Sequence, residues 1–205
     1  VTGGAGFIGA NLVHELARRG AEVTVLDNLS TGDLDRIAGI DGVRFERGDV
    51  CDEDAVIRAM RGAEVAFHLA ASVGNVRSLE NAVGDSRVNV LGTLRVLDAA
   101  HQLGVRKVVY SSSAAIFGEP VRLPMDEAHP AEPDSPYGVS KLAGEKHCLC
   151  YAKLYGMGVV CLRYFNVYGP MQNYDAYGNV IPIFANRLLR GEPLTIFGDG
   201  EQTRD

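Results

Sequence analysis

The sequence predicts an α/β fold, a doubly wound parallel sheet with helices on both of its faces. The first observation is that short runs rich in β-branched and aromatic residues alternate with stretches of helical period through residue 165. The second is a glycine at the expected end of each of four helices, which favours repeated helix and strand units. The third is the glycine-rich turn from Gly3 to Gly9, because such a turn normally joins a buried strand to a helix.

The individual elements follow from these patterns in chain order. Strands are predicted over residues 23–26, 43–45, 65–69, 105–110 and 159–163. Helices are predicted over residues 7–19, 53–60, 86–103, 136–155 and 181–190. The C-terminal caps of the first four helices are expected at Gly20, Gly62, Gly104 and Gly156 or Gly158.

The alternation of strands and helices stops at Asn166, where Gly, Pro, Asn and Tyr become frequent. We therefore expect one domain over residues 1–165, with a truncated first strand, and an incomplete smaller lobe that binds substrate over residues 166–205. The sequence starts at the glycine turn without an initiator Met and ends in a polar, turn-rich stretch, which indicates a fragment of a longer protein.

Composition and charge disfavour several classes of function. Hydrophobic residues make up 46% of the 205 residues, enough for a sizeable core, and no apolar run reaches the length of a membrane span. A net charge of -6 favours neither nucleic acid nor an anionic membrane as a partner. The four cysteines lack zinc spacing, so we expect free thiols, no metal and a reducing, cytoplasmic location.

The glycine turn predicts a site for a dinucleotide. Gly3, Gly6 and Gly9 let the backbone approach a pyrophosphate, and the next helix offers free N–H groups. Asp27, 18 residues beyond Gly9, ends a predicted strand, where its carboxylate would bind the adenosine ribose; a simple turn cap is the alternative. No arginine occurs in residues 28–32 to hold a 2′-phosphate, so a Rossmann fold that binds NAD, not NADP, is predicted.

Further cofactor contacts are expected where other strands end, because ligands of doubly wound sheets lie along the carboxyl edge. Asp49 and Val50 follow the strand at 43–45 and suit the adenine edge. Small residues after His68 would let the backbone pass close to the cofactor. His68 itself is interpreted as a core histidine, since it lies within an apolar strand.

A tyrosine and a lysine share one face of the helix predicted over residues 136–155. Tyr137 and Lys141 are four residues apart, and the ammonium would lower the cost of forming a phenolate, so the pair suits proton transfer. Ser111, Ser112 and Ser113 end a strand at the same sheet edge, where a hydroxyl could bind the oxygen that loses its proton. A solvated helix face and ordinary turn chemistry are the alternatives.

Together these motifs resemble the extended short-chain dehydrogenases/reductases, and within them the NAD-dependent nucleotide-sugar epimerases and dehydratases, above all the UDP-hexose 4-epimerases. The resemblance runs from Gly3 to Asp205 and is carried by residues 2–9, 27–28, 49–50, 68–71, 89, 111–113, 137–141 and 163–170. It implies a tightly bound NAD, a nucleotide-sugar substrate such as a UDP-hexose, and a homodimer built on the helices at 86–103 and 136–155.

The resemblance also implies a role for each matching residue. Ser113 would be the active-site hydroxyl, Tyr137 the acid and base, and Lys141 its cationic partner. Asn89 would steady the geometry of the site, and the substrate would contact Ser113, Tyr137, Asn166 and Arg204. Cofactor contacts are expected from Gly3, Gly6, Phe7, Ile8, Gly9, Asp27, Asn28, Leu29, Ser30, Thr31, Gly32, Asp49, Val50, Leu69, Ala70, Ala71, Ser72, Asn89, Ser111, Tyr137, Lys141 and Tyr164.

The residues after Ser113 favour epimerisation over the other reactions of the family that this sequence resembles. Sugar 4,6-dehydratases carry Thr-Asp-Glu there, which supplies a second acid and base, whereas this chain has Ala114 and Ala115. Phe117 replaces a usual tyrosine, which would alter the sugar pocket. The alternatives are a 4-keto reductase of nucleotide sugars, another activity of the same family, and a non-catalytic NAD-binding regulator.

Overall fold

The computed structural model describes residues 1–173, 180–196 and 198–201, and its centre is a parallel sheet. β1 pairs with β2, and β4 lies between β3 and β5, every pair being parallel. All five predicted strands are confirmed, with ends that differ from the predicted ones by three residues or fewer. Their bounds are β1 Val23–Asp27, β2 Val43–Arg47, β3 Val65–His68, β4 Lys107–Ser113 and β5 Gly158–Tyr164.

Thr2 joins the two groups of strands into one sheet. It forms parallel bridges with Leu26 of β1 and with His68 of β3. The Thr2 N–H donates to Phe67 O at 2.9 Å, and the Gly3 N–H donates to Leu26 O at 2.8 Å. The order across the sheet is therefore β2, β1, Thr2, β3, β4, β5, and the direction of winding reverses beside Thr2, as in a Rossmann fold. The predicted fold class is confirmed.

The predicted helix ends at glycines are confirmed as well. Gly20, Gly62, Gly104 and Gly156 have φ angles of 80°, 76°, 69° and 67°, the left-handed region in which helices commonly end. The helix that carries Tyr137 has the predicted bounds and begins after Ser135, whose Oγ accepts from Gly138 N at 3.1 Å. The described helices are α1 Phe7–Arg18, α2 Glu53–Met60, α3 Asn75–Glu80, α4 Ala82–Ser86, α5 Thr93–Gln102, α6 Pro136–Tyr155 and α7 Val180–Leu189.

The region before α5 differs from the prediction. Helical turns begin at Asn75, where no helix was predicted, and a π-helical segment, Arg87–Gly92, lies between α4 and α5 instead of a continuous α-helix. α3 is stabilised by α6, since the Ser135 hydroxyl donates to Asn75 Oδ1 at 3.2 Å. Those two residues are 60 positions apart, and local sequence patterns carry no information on such a contact.

Apolar side chains pack on both faces of the sheet. Val25 of β1 belongs to a cluster with Ala10 and Val13 of α1, whereas the adjacent Leu26 belongs to a cluster with Val96 of α5. Successive strand residues point to opposite faces, so each face has its own core. The four cysteines are free, as expected. No described helix is long and apolar enough to cross a membrane.

Candidate active site

The glycine turn is packed too closely for side chains at Gly3 and at Gly9. Gly3 has a φ of 69°, and a Cβ there would lie 2.7 Å from Ala70 N. A Cβ at Gly9 would lie 2.1 Å from Gly3 O. Gly6 is the N-cap of α1 and provides no side-chain acceptor. The first N–H groups of α1 therefore have no capping side chain at the carboxyl edge of the sheet, where a pyrophosphate fits.

Asp27 ends β1, is 7% exposed and accepts two backbone hydrogen bonds. Ala5 N donates to Oδ2 at 3.0 Å, and Leu29 N donates to Oδ1 at 2.8 Å. The second bond is the turn cap that was the alternative interpretation of this residue. Because a carboxylate has about four acceptor positions, the cap leaves room for ribose hydroxyls. Gly32 closes the loop beside this carboxylate, since a Cβ there would lie 3.0 Å from Asp27 Oδ1.

The loop after β1 is tied to the end of β2 by polar contacts. Asn28 Nδ2 donates to Asp49 Oδ2 at 2.9 Å, and Asn28 Oδ1 accepts from Ser30 N at 2.9 Å. Burial alone would raise the pKa of Asp49, but hydrogen bonds from Cys51 N and Asn28 outweigh burial and lower it. Val50 beside it is buried. The predicted adenosine contacts from both strand ends therefore lie together.

Arg36, which lies outside residues 28–32, is beside the glycine turn. Arg36 Nη1 donates to Ala5 O at 3.3 Å, and Arg36 Nη2 donates to Asn173 Oδ1 at 2.5 Å. Asn173 Nδ2 in turn donates to Thr31 O at 3.3 Å. Although residues 28–32 contain no arginine, Arg36 therefore lies near the part of the site that is expected to bind adenosine. The guanidinium of Arg36 is engaged in holding the segment at Asn173 against the turn.

The segment after β3 is held by Asn89. Asn89 is 1% exposed, its Oδ1 accepts from Ser72 N at 2.9 Å, and its Nδ2 donates to Ser72 O at 2.9 Å. Ala70 N donates to Thr2 Oγ1 at 3.2 Å, which holds the same segment against the glycine turn. Asn89 therefore fixes the backbone that was predicted to line the cofactor, and a direct contact between its own amide and NAD stays a prediction.

Ser113 and Tyr137 meet where β4 ends and α6 begins. Burial raises the pKa of Tyr137, interaction with the nearby Ser113 hydroxyl opposes this rise, and the negative charge of Asp85 adds to it. The Oγ of Ser113 also accepts from Ala115 N at 3.1 Å, in the 3₁₀ segment Ala114–Ile116. A Cβ at Gly138 would lie 2.3 Å from Ala115 O, so the first turn of α6 packs directly on this segment.

Lys141 lies one turn further along α6 and is 2% exposed. Burial lowers the pKa of Lys141 to about 8, and the charge of Asp85 opposes the change. Its Nζ lies 4.7 Å from the centroid of the Tyr110 ring, close enough for a cation–π contact. The Tyr110 hydroxyl donates to Lys141 O at 3.3 Å. The structure therefore places Ser113 near Tyr137, with Lys141 one helical turn away, and their catalytic roles stay predictions.

His68 is a core residue, as predicted. It is 1% exposed, Nδ1 is 2.7 Å from Thr2 Oγ1, and Nε2 is 3.0 Å from Thr93 Oγ1. Burial lowers its pKa to about 3, so the ring is neutral. Its hydrogen bonds tie the glycine turn to α5.

Beneath the active-site residues lies a buried ion pair that the sequence interpretation missed. Arg163 Nη2 is 2.7 Å from Glu145 Oε1, and Arg163 Nε is 3.2 Å from Glu145 Oε2. The Ser112 hydroxyl donates to Glu145 Oε2 at 2.8 Å. The pair therefore joins β4, β5 and α6. One signal was present in the sequence, because Glu145 is four residues beyond Lys141 and shares its helix face.

The predicted substrate-side residues are only partly within the described chain. Tyr164 lies beside Ser113 in the register of β5 and β4. Asn166 is exposed, and Arg204 lies outside the described residues. Phe117, at the position where a tyrosine is usual, is 3% exposed and packs on Phe165, with 6.2 Å between ring centroids. Phe117, which stands where a tyrosine is usual, is thus packed in the interior below the carboxyl edge of the sheet.

Fold and site together define a Rossmann domain that binds a dinucleotide beside a serine, tyrosine and lysine set suited to proton transfer. The NAD dependent epimerase/dehydratase family model matches residues 1–205. The chain belongs to this family, and its cofactor is NAD.

Individual relatives agree with this assignment. The UDP-glucose 4-epimerase of Mycolicibacterium smegmatis is 41% identical over 210 residues, which cover 100% of this chain and 67% of the relative. The Thermotoga maritima UDP-glucose 4-epimerase, solved with UDP-glucose, has a TM-score of 0.95 at 39% identity and covers 100% of this chain and 67% of its own. The Thermus thermophilus UDP-glucose 4-epimerase, in complex with NAD, has a TM-score of 0.87 at 44% identity. The match covers 94% of this chain and 63% of the Thermus chain.

The chain spans about two thirds of the length of these relatives. Other matching relatives, at 34% and 35% identity, are named dTDP-glucose 4,6-dehydratase and UDP-N-acetyl-alpha-D-glucosaminuronate decarboxylase. Family membership therefore leaves the reaction and the sugar to be argued from the site.

Proposed function

We propose that the whole protein is a UDP-hexose 4-epimerase and that this chain carries its NAD site and its acid/base residues. The observation that carries the proposal is that the Ser113 hydroxyl lies near Tyr137 and one helical turn from buried Lys141, at the sheet edge that also carries the glycine turn. Ala114 and Ala115 follow Ser113 in the 3₁₀ segment, where a dehydratase would need a second acid and base. A reversible oxidation at one carbon needs only the groups that are present.

The residues of this chain fit NAD. The close packing at Gly3 and Gly9 leaves α1 N–H groups for a pyrophosphate, and Asp27 keeps acceptor positions for a ribose. A bound NAD would supply the reversible hydride acceptor for the sugar C4. Every proton movement in the reaction falls to the side chains of the protein.

Tyr137 takes the proton of the sugar 4-hydroxyl, while the Ser113 hydroxyl donates a hydrogen bond to the same oxygen. The Lys141 ammonium stabilises the phenolate, whose formation burial opposes by raising the pKa of Tyr137. Once the 4-keto sugar presents its other face, Tyr137 returns the proton to the oxygen. The two half-reactions use the same groups in reverse, so the protein ends each cycle unchanged.

The test uses the full-length protein with UDP-glucose, UDP-galactose and their N-acetylated counterparts, and separates the products by chromatography. Wild-type protein should interconvert at least one pair. Tyr137→Phe should lower the rate by about a hundredfold or more while NAD remains bound. Tyr155→Phe is the matched control, because Tyr155 lies on the same helix, is 51% exposed, and should leave the rate unchanged.

Three other outcomes would select the alternatives. Stoichiometric consumption of reduced nicotinamide would identify a 4-keto reductase in place of an epimerase. A protein that retains NAD but converts no nucleotide sugar would be a non-catalytic NAD-binding regulator. Elimination of water at C6 would identify a dehydratase, in spite of Ala114 and Ala115.

We further propose a homodimer in the cytoplasm, with α5 and α6 forming the subunit interface. Leu149 and Leu154 of α6 are 49% and 65% exposed, and Leu91 before α5 is 40% exposed. These apolar side chains support a helix-to-helix contact with a second copy. The free cysteines support a reducing compartment.

A further inference from the structure

A buried carboxylate lies next to the tyrosine and lysine of the site. Asp85 of α4 is 2% exposed. Its Oδ1 accepts from Asn89 Nδ2 at 3.0 Å, and its Oδ2 accepts from the Ser140 hydroxyl at 2.5 Å. None of the roles assigned so far uses this aspartate, and an isolated buried charge is costly unless nearby groups compensate for it.

We propose that Asp85 is a positioning residue that sets the charge balance and the geometry of the Tyr137–Lys141 pair. The inference rests on the proposed function, because it gives Tyr137 and Lys141 their roles in proton transfer. Asp85 itself touches neither substrate nor cofactor in this proposal. It acts through Ser140 and through its electric field.

The geometric connection runs through Ser140, which lies between Tyr137 and Lys141 on α6. The Ser140 hydroxyl is 2.5 Å from Asp85 Oδ2 and 3.0 Å from Tyr137 O, and it accepts from Asn89 Nδ2 at 3.1 Å. Ser140 and Asn89 are each 1% exposed. Three buried side chains thus fix α4, the π-helical segment and the first turn of α6 relative to each other.

The electrostatic connection is direct. Among the described residues, Asp85 forms no ion pair within salt-bridge distance, and Lys141 forms none either. The charge of Asp85 raises the pKa of Lys141, against the larger effect of burial, and also raises the pKa of Tyr137, in the same direction as burial. The negative charge of Asp85 therefore opposes the loss of a proton from Tyr137 and from Lys141.

Other groups that face the pair do not replace this carboxylate. On α6, Glu145 is paired with Arg163 of β5. On α5, Arg95 is paired with Glu53 of α2. The elements packed around the pair also carry further titratable and charged side chains, which include Tyr110 of β4, His68 of β3, Cys148 of α6, Cys161 of β5, Arg77 and Glu80 of α3, Arg87 of the π-helical segment, and Asp98 and His101 of α5.

The isosteric change Asp85→Asn removes the charge and keeps a hydrogen-bonded arrangement. An asparagine oxygen can still accept from Asn89, and its NH₂ can donate to Ser140 Oγ. The Ser140 hydroxyl can then donate to Tyr137 O, which is already 3.0 Å away. Without the negative charge of Asp85, the loss of a proton from Tyr137 or from Lys141 is easier. The pKa of Tyr137 and that of Lys141 should both fall, by roughly one unit.

The test titrates the Tyr137 phenol in the NAD-loaded full-length protein, by ultraviolet absorbance of tyrosinate. The absorbance of the wild type minus that of Tyr137→Phe gives the titration midpoint of Tyr137 in the wild type. The absorbance of Asp85→Asn minus that of the double variant Asp85→Asn/Tyr137→Phe gives the midpoint in the variant. Because no turnover is needed, this readout holds even if the proposed epimerase reaction fails. The midpoint should move to lower pH by roughly one unit, and an unchanged midpoint in a folded variant would overturn the inference.

Activity provides the second readout. The ascending limb of the pH–rate profile should move to lower pH in Asp85→Asn, and it should stay in place in Asp98→Asn, an exposed aspartate on α5. Should Asp85→Asn not fold, Ser140→Ala keeps the charge and removes the bridge. It should lower the turnover rate about tenfold or more without moving the limb; a Ser140→Ala protein with the wild-type rate would contradict the positioning role.

Discussion

Replacing Arg163 with methionine should destabilise the protein by about 3 kcal/mol near neutral pH. Arg163 makes two contacts with the Glu145 carboxylate, at 2.7 and 3.2 Å, and the two side chains are 22% and 3% exposed. Among the described residues, the substitution leaves the buried carboxylate with only the Ser112 hydroxyl as a side-chain donor. Breaking a buried pair in this way typically costs about 3–5 kcal/mol, and the partial exposure of Arg163 places it at the lower end.

The loss should depend on pH in a defined direction. Burial raises the pKa of Glu145, but hydrogen bonds from Arg163 and Ser112 outweigh it and lower the pKa overall. In the wild type the stabilisation is therefore present above the ordinary glutamate pKa, about 4.3, and is lost as pH falls through the lower folded value. In the variant burial dominates, the pKa of Glu145 rises, and protonation relieves the unpaired charge. The difference between the two proteins should shrink as the pH is lowered to about 4.

Urea unfolding followed by far-ultraviolet circular dichroism measures both effects in the full-length protein. With a slope of about 2 kcal/mol per M, the midpoint should fall by roughly 1.5 M near pH 7. Arg18→Met is the matched control, because Arg18 and Glu15 also pair at 2.8 Å but are 69% and 41% exposed, so its midpoint should not change. Equal effects of the two substitutions, or a difference that does not vary with pH, would refute the reasoning.

Two further predictions concern the glycine turn and the assembly. Gly9→Ala should destabilise the protein by about 1–3 kcal/mol and abolish NAD retention, since its Cβ would lie 2.1 Å from Gly3 O and 2.7 Å from Gly4 Cα, both backbone atoms. Thermal unfolding measures the stability, and the absorbance of bound cofactor measures NAD retention. A Gly9→Ala protein with the unfolding temperature and the NAD content of the wild type would contradict the prediction. Sedimentation of the full-length protein should give a dimer at micromolar concentration, and Leu154→Lys should shift it toward monomer; a wild-type monomer would remove the dimer proposal.

Much of the fold could be predicted because the decisive signals are local. The bounds of α6 and α2 follow from caps and helical period, and Gly20, Gly62, Gly104 and Gly156 end helices as expected. The π-helical segment Arg87–Gly92 could not be predicted, because Asn89 within it bonds to Ser72 and Ser140, which are 17 and 51 positions away. A periodic pattern describes neighbours along one helix and does not describe such partners.

The candidate site likewise has one part that local motifs predict and another part that depends on contacts between residues distant in sequence. The glycine turn, Asp27, Ser113 and the Tyr137–Lys141 spacing all stand within short motifs, and parallel topology places strand ends at one edge. Arg36, Asp85 and Glu145 were missed because each acts on a residue that is distant in sequence. Arg36 meets Asn173, 137 positions later, through a contact that no motif near either residue indicates.

The sequence by itself determined which reactive groups this protein has and in what order they occur, because hydrophobic period, glycine ends and residue spacing are properties of adjacent positions. The tertiary structure alone decided the environment of those groups. Burial of Lys141, the proximity of Ser113 to Tyr137, and the field of Asp85 all arise where separate elements pack together. Proton affinity depends on the charges and the exclusion of water around a group, and both are set by contacts across the fold.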